Sequence, residues 1–200
     1  GDPGVSVTAV IQLGSIFAVI LYFRQDLQKI LKGIAFGFRN GQWNETDTRL
    51  GIAIAIGTIP ILIAGSLIKL FWTSYETSQL RSIPFIAIVS IVMGSLLALS
   101  EYFGSRKKSI SEVNGLEGLI IGLSQVVALI PGVSRSGITL TTSLFNGWRR
   151  QDAARFSFLL GIPAITLAGL VELKDAFKTT HLIEIMPLCI GIISSAVVSL

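Results

Sequence analysis

Long stretches without a charged residue decide what this chain can fold into. They run over Val5–Phe23, Leu50–Ile68, Ser82–Ser100, Gly118–Ser134, Phe156–Val171 and Ile185–Leu200. A helix needs about 20 apolar residues, and at least roughly 17, to cross the hydrocarbon of a bilayer. Most of the runs reach that length alone and the shortest reach it with a residue or two of flank. Charged residues make up 14% of the chain, where a soluble domain carries about 25%, and the mean hydropathy is +0.72. These features predict an all-α integral membrane protein.

The same counts exclude several function classes. One cysteine, Cys189, cannot form an intrachain disulfide, and one histidine, His181, stands in the polar stretch "KDAFKTTHLIE". Together they cannot make a zinc cluster, and no glycine-rich nucleotide loop is present. The net charge of +4 is accounted for by residues flanking the apolar runs, so no nucleic-acid partner is predicted. The first residues, "GDPGVSVTAVIQLGS", lack an initiator methionine and signal-peptide organisation, and the last apolar run stops at Leu200 without a flank. The expectation is a fragment of a longer chain.

Basic residues are shared unevenly between the connections. Arg24, Lys29, Lys32, Arg39 and Arg49 follow the first run, Arg106, Lys107 and Lys108 the third, and Arg149, Arg150 and Arg155 precede the fifth. The connections near 72–81 and 174–181 are poorer in them. Cytoplasmic connections carry the Lys/Arg excess, so the three basic groups should share the cytoplasmic side. A single crossing between "SRKK" and "WRRQDAAR" would put them on opposite sides. A segment that enters and returns keeps them together. Its halves, Leu116–Ile130 and Ile138–Trp148, are too short to cross alone, and Pro131-Gly132 breaks the helix between them. The prediction is a re-entrant helix pair over 116–148 with its tip near mid-membrane.

At that tip stands "PGVSRSGIT", Pro131 to Thr139. An arginine at membrane depth costs at least about 2.5 kcal/mol and is functional by default. Guanidinium offers a rigid fork of donors for phosphate or carboxylate oxygens. Ser134, Ser136 and Thr139 add hydroxyls, Gly132 and Gly137 allow close backbone approach, and a helix beginning here attracts anions to its N-terminus. The bland alternative pairs Arg135 with a carboxylate on another helix, but Glu101, Glu117 and Glu172 all stand at run ends. The pattern predicts an anion cradle for a phosphate carried on a lipid, with Gln125 as a supporting hydrogen-bonder. An isolated glutamine of this kind also serves simply to join helices.

The segments "EGLIIGLSQVVALIPGVSRSGIT", "FSFLLGIPAITLAGLVEL", "AVIQLGSIFAVILYF" and "GTIPILIAG" resemble the undecaprenyl-diphosphatase family, also called the bacitracin-resistance family. They cover nearly the whole chain in order. The resemblance implies a phosphatase of the bacterial inner (plasma) membrane that converts undecaprenyl diphosphate to the monophosphate and phosphate. That reaction recycles the carrier lipid for peptidoglycan synthesis and confers bacitracin resistance. It implies a divalent cation, Mg²⁺ or Ca²⁺, a site open to the outer (periplasmic) face, a polyprenyl diphosphate lipid as substrate, and a homodimer. It also implies an inverted-repeat bundle in one membrane domain, 1–200. Residues 1–101 are then the rest of a first repeat with three spans, 116–148 the re-entrant pair opening the second repeat, and 156–200 further spans of the second.

In this resemblance Arg135 matches the essential catalytic arginine, and Ser134, Ser136 and Thr139 the polar positions of the diphosphate site. The family's Glu-rich motif, which supplies the metal-binding carboxylates, and its histidine have no counterpart in 1–200. No metal ligand is therefore expected within these residues, and the fragment alone is expected to be inactive. The competing function is a transporter or flippase of a polyprenyl phosphate lipid, since broken helices meeting in inverted repeats also describe secondary transporters.

Overall fold

A computed structural model describes residues 14–72, 75, 78–179 and 185–199. Most of the described residues are helical, with α1 over 14–22, α2 Arg24–Asn40, α3 Thr46–Phe71, α4 Ile83–Phe103, α5 Gly115–Val126, α6 Arg135–Phe145, α7 Arg150–Thr179 and α8 Ile185–Ser199. Three are long and apolar enough to cross a membrane: Thr46–Phe71, Ile83–Phe103 and the Arg150–Val171 part of α7. Side chains along α4 face outward, including Ile83, Ile88, Ile91, Val92 and Leu99, with Ser100 alone buried among its described residues. Leaving water is worth roughly 1.5–3 kcal/mol for each such side chain. A lipid surround supplies that gain where a protein core does not. The chain is an all-α membrane protein.

Two compact units are formed. One is Lys29–Gly161, and the other consists of the described residues before Lys29 and after Gly161. In the second unit α1 meets α8 closely, with Gly14 against the backbone of Ile192 and Ala196. Ser15 hydrogen-bonds to Ser195 at 2.7 Å and accepts from Ser199 at 3.0 Å. Small residues and hydroxyls of this kind join helices where apolar side chains gain little by leaving lipid.

In the Lys29–Gly161 unit, α5 runs parallel to α3 along a seam of small residues. Gly118 abuts Ala53, Gly122 abuts Gly57, and Leu129 reaches Gly65. The spacing is GxxxG on α5 (Gly118, Gly122) against Ala53 and Gly57 on α3, which lets the two backbones touch. A Cβ on Gly57 would lie 2.5 Å from the Gly118 carbonyl oxygen. At the entrance, Arg49 donates from Nε to Val113 O at 2.9 Å and from Nη2 to Glu112 O at 2.8 Å, and Asn114 caps α5 by accepting from Glu117 N–H at 2.9 Å.

α5 ends in a 3-10 turn, Val127–Leu129, and the chain turns back into α6. α6 then follows α4, since Gly132 abuts Ile86 and Val89 while the Leu144 carbonyl lies beside Gly104. Both feet of this hairpin are held by Lys107 and Lys108. Their N–H groups donate to Gly147 O at 2.9 Å, and Arg149 N–H donates to Lys108 O at 2.8 Å. Lys108 Nζ pairs with Glu117 at 2.7 Å, and Glu101 pairs with Arg106 and Arg150, each at 2.9 Å. The basic groups 106–108 and 149–150 therefore lie side by side, as an entering and returning segment requires.

Three expectations are corrected. Arg24–Asn40, read as part of a connecting loop, is a helix, and α7 begins at Arg150, well before the apolar run at Phe156. The tip also lies well past the middle of α3 and α4. From Thr46 to Gly65 along α3 is about 28 Å at 1.5 Å per residue, and Gly132 touches Ile86, only three residues into α4. The added 3-10 turn, with its longer rise of about 2 Å per residue, carries the tip close to the far ends of α3 and α4.

Candidate functional site

Ser134 is the N-cap of α6, with extended backbone (φ −70°, ψ 122°) and a hydroxyl that accepts from Gly137 N–H at 3.2 Å. Its carbonyl accepts from Ile138 N–H at 2.9 Å. Arg135 and Ser136 fill the first turn, so their N–H groups belong to the set that a helix leaves unsatisfied. Ser134 and Ser136 are exposed, with their hydroxyl oxygens 3.5 Å apart. Between them the Arg135 guanidinium turns inward. Its Nε and Nη1 are shielded from solvent and have no hydrogen-bond partner among the described residues. Of the carboxylates at the run ends, Glu101 is engaged with Arg106 and Arg150 and Glu117 with Lys108, while the side chain of Glu172 lies outside the described residues. A structural ion pair for Arg135 is absent among the described residues. What remains is a shielded positive fork on a residue that lies between two serines at a helix N-terminus, a set of groups suited to oxyanions.

The other predicted residues take different places. Thr139 is 1% exposed and donates to Arg135 O at 3.0 Å and Ser136 O at 3.2 Å. Its proton is engaged within the helix. Gly132 has φ +95°, and an added Cβ would lie 2.8 Å from Ile86 O, while its own carbonyl accepts from Ser90 Oγ at 3.1 Å. Glycine is required there by the turn and by α4. A Cβ on Gly137 would crowd Ser134 Cβ at 3.0 Å, so that glycine makes room for the cap. Gln125 is 0% exposed, and neither amide atom finds a partner among the described residues; no hydrogen bond joins it to Arg135. His181 lies outside the described residues, as does the side chain of Cys189.

Two residues that hold the tip were not read from the sequence. Ser90 is the first, and its only signal is a hydroxyl within the apolar run of α4. Tyr75 is the second, in the connection between α3 and α4, where its hydroxyl donates to Leu129 O at the end of the 3-10 turn. Burial pushes the Tyr75 phenol above its ordinary value of about 10, and the Arg81 guanidinium, 5.7 Å from the ring, opposes this. The neutral donor is thus retained through neutral pH, and its contribution is lost only as pH rises through the raised value. Tyr75→Phe leaves Leu129 O without that donor, a loss of about 1–3 kcal/mol, seen as a lower melting temperature at pH 7 that converges with wild type above pH 10.

The divalent cation implied by the resemblance does not fit these donors. Among the described residues no group of three or more His, Cys, Asp or Glu could hold a metal ion.

Comparison with known proteins bears on the whole chain. The family described as bacitracin resistance protein BacA matches residues 1–200. An undecaprenyl-diphosphatase of Prochlorococcus marinus (strain MIT 9303) is 67% identical over 199 residues, covering 100% of this chain and 68% of the relative. One from Synechococcus sp. (strain WH7803) is 66% identical over 199 residues, covering 100% of this chain and 70% of the relative. A match across every residue, together with identity of this degree, means that the chain belongs to the bacitracin resistance protein BacA family.

Proposed function

We propose that the full-length protein hydrolyses undecaprenyl diphosphate to undecaprenyl monophosphate and inorganic phosphate, with residues 1–200 supplying the arginine part of its site. The observation that supports this most is Arg135, which follows Ser134 and precedes Ser136 at the start of α6 and whose shielded Nε and Nη1 have no hydrogen-bond partner among the described residues. In the reaction an oxygen from water forms a bond to the terminal phosphorus, the anhydride P–O bond breaks, and the lipid monophosphate leaves. Phosphoryl transfer asks a protein mainly for positioning and for neutralising charge on the transferring group. Arg135 supplies that charge, with the first-turn N–H groups and Ser136 Oγ oriented alongside. Ser134 fixes the start of the helix, and Gly132, Gly137 and Thr139 shape the turn that holds it. A divalent cation, Mg²⁺ or Ca²⁺, belongs to the proposal with carboxylates from outside the described residues.

We place the protein in the bacterial inner membrane with the tip open to the periplasmic side. The basic feet mark the cytoplasmic end, and the tip stands near the opposite ends of α3 and α4. Carrier-lipid recycling for peptidoglycan synthesis, bacitracin resistance and a homodimer complete this reading. It is tested with full-length protein in oriented membrane vesicles given a water-soluble short-chain isoprenyl diphosphate. Phosphate release should be confined to right-side-out vesicles. Release from inside-out vesicles alone would reverse the orientation. No release from any isoprenyl diphosphate, alongside movement of polyprenyl phosphate across the bilayer, would replace the phosphatase with a transporter.

A further inference from the structure

The part of α2 from Lys29 onward has an inner face fixed by α3. Gly51 abuts Ile34 and Ile30, Gly33 abuts Asp47 and Thr48, and Thr48 Oγ1 donates to Gly33 O at 2.8 Å. These contacts set residues 30–37 beside residues 47–51. There α3 changes from the polar Thr46–Arg49 to the apolar run starting at Leu50. A spanning helix makes that change where headgroups meet hydrocarbon. This part of α2 therefore lies at the membrane boundary, on the side of the basic feet, because Arg49 also binds the 112–113 backbone next to Lys108.

Its outer face carries two stripes. Leu31, Ala35 and Phe38 follow at i, i+4 and i+7 and so share one line. Leu31 is 65% exposed and Phe38 74%, and the Phe38 ring meets Trp43 edge-on at 4.9 Å. Beside them Lys29, Lys32 and Arg39 form an exposed basic stripe that makes no ion pair among the described residues. One neighbour satisfies both stripes at this depth. Acyl chains take the apolar line, and anionic headgroups take the basic one, because a negative leaflet attracts Lys and Arg at its surface. A protein partner fits less well, since protein interfaces are depleted in lysine. Further along α3, Ile59, Ile63 and Leu67 are exposed as well, as expected of a helix that crosses a membrane.

We propose that Lys29, Lys32 and Arg39, with Leu31, Phe38 and Trp43, form a docking surface for anionic phospholipid of the leaflet they border. The surface is separate from the phosphatase site and stands whether or not that site is read correctly. Two measurements on full-length protein in nanodiscs of phosphatidylcholine and phosphatidylglycerol test it. Spin-labelled phosphatidylglycerol should associate with the protein at least about threefold more than spin-labelled phosphatidylcholine. The Lys29→Gln, Lys32→Gln, Arg39→Gln variant should lose most of that preference while melting near wild type. In a Cys189→Ser background, nitroxides at Leu31→Cys and Phe38→Cys should collide with oxygen but be shielded from a water-soluble nickel chelate. Three results would each overturn the proposal. They are an unchanged lipid preference in the triple variant, shielding of the nitroxides from both reagents (a protein cover, such as a second copy), and free access of the chelate.

Discussion

Replacing Arg135 with lysine in the full-length protein is expected to lower turnover of undecaprenyl diphosphate by at least about 10²-fold, with expression and melting temperature near wild type. Lysine keeps the charge and loses the planar fork. An arginine that only neutralised a neighbouring carboxylate would tolerate the change, but no such carboxylate faces Arg135 among the described residues. Donors aimed at developing charge typically contribute 10²- to 10³-fold each, which sets the expected loss. Ser136→Ala should lose less, because a neutral hydroxyl makes a weaker hydrogen bond than a charged donor. Full activity in Arg135→Lys, or its failure to fold, would show that the arginine holds helices together instead.

Gly122→Ala should be the most damaging small substitution in the Lys29–Gly161 unit. The new methyl group would point into the Gly57 backbone, with Gly57 C only 2.6 Å away, so α3 and α5 must separate. Overpacking of this kind costs typically 1–3 kcal/mol, and the backbone on the receiving side puts this case at about 3 kcal/mol. At roughly 2–4 °C per kcal/mol for a chain of this size, the melting temperature in detergent should fall by roughly 6–12 °C. Gly94→Ala on α4 is the control, because nothing lies within 4 Å of its added Cβ. Equal melting temperatures for both variants would mean that the α3–α5 contact is not the seam described here.

Much of this architecture could be read from the spacing of charges. Arg106–Lys108 and Arg149–Arg150 had to share a side, and that demand, with halves too short to cross alone and Pro131-Gly132 between them, pointed to a hairpin; Lys108 joins its feet. Hydropathy fails where helix is made by other means. Arg24–Asn40 gains its place through Gly33 and Gly37 packing on α3, and α7 starts in a polar stretch that no apolar count detects. At the tip, the position of Arg135 between Ser134 and Ser136 stood out because a lone charge within a long uncharged run is costly, while its role there is the proposal made above. The work of Gly132 and Thr139 was not legible. Glycine signals both ligand approach and helix approach, and only coordinates show that Ile86 is the neighbour. Tyr75 and Ser90 reach the tip from elements distant in sequence, and spacing along the chain carries no trace of that.

The glycine seam between α3 and α5 also acts as a depth gauge. Nothing in lipid pulls two apolar helices into one axial setting, but Gly118 and Gly122 fit only where Ala53 and Gly57 leave room. A slip of one turn would move the hairpin by about 5.4 Å along α3 and take Arg135 with it. A lipid anchored by its tail presents its diphosphate within a narrow layer of the membrane, and an arginine displaced by that distance would miss it. The elevation of the charged group is therefore set at the seam, several turns away from it.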